Sequence, residues 1–275
     1  MRPRNPTRAL LHHAAFEFGS GLRNRAMLLL LYLFPLGFFL IAGALMVGLN
    51  PGFRETLIPA MVVFALMAGC LLGLPDPIVE AREAGIFRSF KIHGVPAANI
   101  LLLPGGAIVA HLTVVAAIMT VAAPLLFDAP LPSNFGAYVG VFLAAAAAHA
   151  GLGLVIAVVS ASTRATVLWS QLVFLPSVML GGLMVPSEVI PETLATLARL
   201  LPATHAMNAM RGLAFGAATA FSPVGSLLVL LAGALLGVAL AVRLFQWDRR
   251  AEGRRVSPAW GVLVLAPYVV GVLLR

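Results

Sequence analysis

The chain has one cysteine, Cys70, and one lysine, Lys91, among 275 residues, and only 10% of its residues are charged. A lone cysteine permits no intrachain disulfide, and Cys70 sits in an apolar run that offers no cysteine-based metal site. The single lysine lies between Phe90 and Ile92, so no G-x-x-x-x-G-K-[ST] phosphate-binding loop exists and ATP has no such route onto this chain. The H-E-x-x-H zinc motif and the G-x-S-x-G nucleophile motif are absent too. Soluble domains carry about a quarter charged residues. The scarcity of charge, with 61% hydrophobic residues and a mean hydropathy of +1.00, excludes a soluble enzyme and a disordered chain.

What is present is long apolar runs. A helix crossing a ~30 Å hydrocarbon core needs about 20 apolar residues. Six stretches qualify: Ala26–Leu49, Leu57–Leu74, Ile100–Phe127, Phe135–Val159, Ala165–Val185 and Val224–Val242. A seventh, Pro258–Leu274, is shorter and contains two prolines; it spans, dips in, or lies against the others. The first run is too long for a signal-peptide core and has no cleavage motif, so it reads as a retained span. Pro35, Pro104, Pro124 and Pro176 lie inside spans, where neighbouring helices can re-satisfy the freed carbonyls. Ala144–Ala148, with Gly151 and Gly153, gives the fourth span a face on which backbones can approach closely.

The net charge of +8 comes from basic residues at the ends of apolar runs and not along one face, which fits no nucleic-acid partner. Basic residues favour the cytoplasmic side. Fourteen lie in the N-terminal segment and alternate loops, against three (Arg54, Arg199 and Arg211) in the opposite loops. The expected topology therefore has a cytoplasmic N-terminus, in a cell's inner (plasma) membrane.

Ionisable residues within spans are candidates for function. Here they are His111 and His149; no Asp or Glu lies in any of the six spans, which weakens a proton-coupled carrier. With Gln171, these histidines form a possible translocation path, or else they are packed and hydrogen-bonded helix contacts.

Three segments go beyond simple spanning. Across Pro6–Asn24, Leu11, Ala15, Phe18 and Leu22 share one helical face, which predicts a basic interfacial helix. Pro75–Asn99 mixes Glu80, Arg82, Glu83, Arg88 and Lys91 with Ile86, Phe87 and Phe90; it reads either as a docking surface or as a solvated connector. Pro186–Pro223 reads as two short helices dipping into the outer leaflet, with Leu194, Leu197, Leu200 and Leu201 as a stripe ended by Pro202.

Two of these segments resemble a known family, the permease subunits of ABC exporters of type 2. Glu80–Pro96 is similar to the family's E-x-x-x-G…P pattern through Glu80, Arg82, Glu83, Gly85 and Pro96, with Ile86 where a threonine often follows the glycine. Phe174–Leu213 resembles its fifth-span signature through Gly181, Gly182, Pro186, Pro191, Leu201, Pro202, Thr204, Arg211 and Gly212. The resemblance implies an all-α polytopic membrane protein. Its parts are an interfacial helix (1–25), a transmembrane domain (26–243), and a basic segment with an extra hydrophobic stretch (244–275).

It also implies a coupling helix docking on a separate ABC ATPase subunit through Glu80, Arg82, Glu83, Gly85, Phe87, Arg88, Phe90 and Lys91. A second permease chain would pair with this one. ATP and Mg would sit on the ATPase and no cofactor on this chain. The resemblance points to outward transport, and the apolar spans suggest a hydrophobic or amphipathic substrate: a drug, antibiotic, lipid or glycolipid. An ion-gradient-driven carrier and an integral-membrane lipid-modifying enzyme are the competing readings.

Overall fold

The structure is a computed structural model that describes residues 6–185, 190–247 and 257–273. Among the described residues all regular structure is helical. Helix α1 is Pro6–Arg23. Among the described residues five helices are long and apolar enough to cross a membrane: α2 (Arg25–Leu49), α3 (Pro51–Glu83), α5 (Ala97–Phe127), α6 (Phe135–Val159) and α10 (Pro223–Leu244). Between α3 and α5 lies the short α4, Ile86–Ile92. Helix α7 is Thr163–Leu180, α8 is Glu192–Ala198, and α9 is Pro202–Ala209, which continues as a π-turn over Met210–Ala214. The last helix, α11, is Ala259–Leu273.

Several starts are set by side chains that take up the orphan N–H groups of a first turn. Asn24 caps α2, Asn134 caps α6, Ser162 caps α7 and Ser222 caps α10. Two elements differ from the sequence expectation. Helix α3 runs past the end of its apolar stretch at Leu74 to Glu83, because Pro75 and the polar turns after it remain helical. Helix α7 stops at Leu180 and not at Val185, because the chain turns at Gly181 and at Gly182, whose φ is +80°. At 1.5 Å per residue α7 is about 27 Å long, so the fifth expected span is the shortest of the six.

Helices α3 and α6 form the centre. The carbonyl of Cys70 on α3 occupies the space a Cβ on Gly153 would need. On its other side α6 meets α10, where a Cβ on Gly237 would lie 2.9 Å from the Gly151 carbonyl carbon. The small-residue face of α6 is thus used for packing within the chain. Helices α2 and α3 each widen into a π-turn, Leu29–Leu33 and Ala68–Gly73, and Gly69 and Gly73 admit Leu30 and Leu31 there.

The C-terminal stretch lies along α10. Gly261 sits by Val155 and Val159 at one end of the bundle, and Gly271 sits by Val229 and His205 at the other. Tyr268 is buried against Gly233 between them. Over about 22 Å of helical rise, α11 runs antiparallel to α10 from the α4 end of the bundle to the α8–α9 end.

Candidate functional site

The segment expected to be one coupling helix is an elbow. Helix α3 ends in a left-handed Gly85 (φ +74°), with Ala84 N–H bonded to the Glu80 carbonyl. Helix α4 ends in Gly94 (φ +71°), where Val95 N–H reaches the Phe90 carbonyl and Gly94 N–H the Lys91 carbonyl. These are the paired bonds of a Schellman cap. Glu80, Arg82 and Glu83 therefore belong to the end of α3, and Phe87, Arg88, Phe90 and Lys91 to α4, with Gly85 as the corner.

Two of these residues turn inward. Arg82 is buried, and its guanidinium donates to the carbonyls of Ala157, Val158 and Ser160 at the C-terminal end of α6. A cation there satisfies orphan carbonyls and matches the negative end of the helix dipole. Phe87 is buried as well, its ring centroid 5.4 Å from that of Phe245 just beyond α10. Glu80, Glu83, Arg88 and Lys91 are exposed on the outer side of the elbow. Apolar exposure there comes from Ile86, Phe90 and Ile92, the last 82% exposed. Ile92, two residues before the glycine that ends α4, was missed by sequence reading.

Behind the elbow lies a groove of about 670 Å³ between α1, α4 and α5. His111 lines it, stacked on Phe18 of α1 with centroids 4.1 Å apart, and its Nδ1 is 2.9 Å from the Tyr32 hydroxyl. A Cβ on Gly21 would lie 2.5 Å from His111 Nε2, so the glycine sets how closely α1 approaches. The inward edge of α1 is thus Phe18 and Gly21, while Leu22 of the expected apolar face is exposed. His149 is elsewhere: it is buried in α6 with Nδ1 donating to the Ala145 carbonyl at 2.7 Å. Gln171 is half-buried on α7. Of the three, His111 alone lines the groove behind the elbow.

The α8–α9 hairpin does gather its signature. Gly181, Gly182, Thr204 and Arg211 line one small cavity of about 80 Å³. Thr204 Oγ1 donates to the Ala198 carbonyl at 2.6 Å, and His205 Nε2 donates to the Arg199 carbonyl at 2.8 Å. Pro202 opens α9, and a Cβ on Gly212 would lie 2.6 Å from Pro223 Cβ, so that glycine seats the hairpin on α10. Asn208 donates to the Phe221 carbonyl and to Ser226 Oγ. Burial, helped by the nearby Arg199 charge, holds His205 below its ordinary value of 6.5, against the pull of its bond to the Arg199 carbonyl. Pro186 lies outside the described residues. Among the described residues no three His, Cys, Asp or Glu side chains converge as a metal site.

Central glycine-packed helices, a capped elbow and a short paired hairpin define an all-α polytopic membrane protein. The family model of the ABC-2 type transporter matches residues 13–215, from α1 to the end of the hairpin. The chain belongs to the ABC-2 type transporter family, whose membrane domains normally work with ABC ATPase subunits. It is also similar to the ABC transporter G family member 20 of Dictyostelium discoideum, 27% identical over 165 residues. That alignment covers 59% of this chain, which spans about a fifth of the relative's length (22%).

Proposed function

We propose that this chain is the transmembrane permease subunit of an ATP-driven exporter, moving a hydrophobic or amphipathic substrate outward. The chain catalyses no reaction itself; ATP and Mg bind a separate ABC ATPase subunit, and a second permease chain completes the assembly. The elbow faces the cytoplasm, as the distribution of basic residues predicts, in the inner (plasma) membrane.

The observation that carries this reading is Arg82. It ties the elbow to the end of α6, the helix at the centre of the bundle, through three backbone carbonyls. A push on the elbow can thereby pass through the end of α3 to α6. Membership of the family and similarity to a protein named as an ABC transporter support the same reading. The partner-facing residues are Glu80, Glu83, Ile86, Arg88, Phe90, Lys91 and Ile92. Arg82 and Phe87 hold the elbow from inside. ATP binding by the partner can shift the permease only through different affinities for its two states.

The test is co-purification from gently solubilised membranes, followed by reconstitution. Wild-type chain is expected to bring down an ABC ATPase, and Phe90→Glu with Ile92→Glu to lose it while the permease stays folded. Substrate movement driven by an ion gradient without ATP would overturn the reading, as would full ATPase recovery by the double variant.

A further inference from the structure

On the far side of α10 from the bundle core, α8, α9, α10 and α11 enclose a groove of about 950 Å³. It lies beyond residue 215, where the family match ends, for most of its lining. Its two ends differ in chemistry. Along α10 and α11 it is apolar and opens outward, through Leu228 (61% exposed), Ala232 and Val270 (50% exposed). At the hairpin end stand Glu192, the Arg199 guanidinium over the Phe221 ring at 4.6 Å, and His205. The His205 tautomer follows from its partner. A carbonyl can only accept, so Nε2 carries the proton toward Arg199. Neutral His205 then presents a lone pair at Nδ1, which is buried and without a hydrogen-bond partner. Gly271 keeps side-chain atoms off this ring: a Cβ there would stand 3.5 Å from His205 Cε1. A buried acceptor left unmatched is costly, and a donor in the groove would relieve it.

We propose that this groove binds a phospholipid whose head group carries a primary ammonium, with one acyl chain along the α10–α11 seam. The occupant comes from the bilayer, because the seam opens where acyl chains and not water surround the helix. From Ser222 to Leu236 the groove follows about 21 Å of helical rise, enough for the ~15 Å of one leaflet's hydrocarbon. Arg199 has the planar donor fork that suits a phosphate. Glu192 and His205 Nδ1 both accept, so they favour a head group that donates N–H. A choline head has no such donor, and a glycerol head has no cation for Glu192. This site is separate from the elbow and does not depend on ATP.

The full chain, purified in detergent and stripped of lipid, is titrated with dioleoyl phosphatidylethanolamine, phosphatidylcholine or phosphatidylglycerol and read by native mass spectrometry. Phosphatidylethanolamine is expected to bind about tenfold more tightly than the other two. Ala232→Trp, at an exposed groove position, should weaken it about tenfold, while Leu235→Trp, exposed on the same helix but outside the groove, should not. Glu192→Gln should erase the head-group preference and leave lipid binding in place. Unchanged binding by Ala232→Trp, or equal binding of the three lipids, would overturn the proposal. So would a dimer that Ala232→Trp dissociates with no lipid bound, which would assign the groove to a second copy.

Discussion

The most apolar 18-residue windows of α2 and α3 have the same mean hydropathy, 2.4, yet 94% of that window is buried inside the protein in α3 and only 28% in α2. Helices α6 and α10 repeat the contrast, at 89% against 33%, with hydropathies of 2.2 and 2.5. Lipid tails are as apolar as leucine, so hydrophobicity does not decide which helix goes to the centre. Close packing does. Helix α3 carries Ala60, Ala65, Ala68, Gly69 and Gly73 among its buried positions, whereas α2 turns Leu40, Ile41, Leu45 and Leu49 outward. Backbone contact holds α6 on two sides, to α3 at Cys70–Gly153 and to α10 at Gly151–Gly237, whereas the outward sides of α2 and α10 carry large exposed side chains such as Ile41 and Leu235. Substitutions of equal size should therefore have very unequal effects.

The largest effect is expected at Gly153. A side chain there meets the Cys70 carbonyl, which is backbone and cannot swing aside. Gly153→Leu should cost about 3 kcal/mol or more, seen as a large drop in the thermal unfolding midpoint in detergent. Leu235→Ala on the outer α10, where the leucine is 75% exposed, should stay within about 0.5 kcal/mol. Equal shifts for the two would break the comparison.

Arg82 comes next. Arg82→Ala leaves the α6 carbonyls without their donor, at about 2–3 kcal/mol for lost bonds from a charged group. Arg82→Lys should recover only part, since a lysine lacks the guanidinium fork. If the elbow works as proposed, ATPase stimulation in the reconstituted complex falls further than stability does, because co-purification needs only the exposed face. A contrast of similar size lies on α4. Phe87→Ala, buried against Phe245, should cost about 3 kcal/mol of stability, and Phe90→Ala should barely change it while weakening recovery of the ATPase.

These residues also show which parts of the structure can be read from sequence. The ends of α6 were legible to the residue, Phe135 and Val159, because Asn134 caps one end and the polar run from Ser160 closes the other. The extent of α3 was not, since apolarity ends at Leu74 while helical geometry continues. The inward turn of Arg82 was hidden because charge in a polar connector reads as solvated. A clue did exist: α6 has no basic residue in its last turn, so its final carbonyls needed a donor from another segment. Four residues singled out by the family resemblance, Gly181, Gly182, Thr204 and Arg211, line the hairpin cavity, but the cavity itself and the pairing of His111 with Phe18 were not legible. Spacing along α1 marks an apolar face but not the point where a glycine lets it dock.

The smallest expected effect distinguishes burial by protein from burial by lipid. His205 lies outside the spans, enclosed by Arg199, Phe221 and Tyr268. Its folded value is lowered from 6.5, so below that pH the unfolded chain binds more protons than the folded one, and stability rises with pH. The contribution is complete above the unfolded value and is lost as pH falls through the folded one. Unfolding midpoints measured from about pH 7.5 down to about pH 5 should therefore decline. Other groups titrate over the same range, so the His205 part is the difference between wild type and His205→Gln. The glutamine can still donate to the Arg199 carbonyl but takes up no proton. A flatter profile for His205→Gln would place the hairpin in a protein-enclosed, water-poor setting like that of α3 and α6. Parallel profiles would show that water reaches the imidazole freely, and the hairpin would then belong with the exposed outer surfaces.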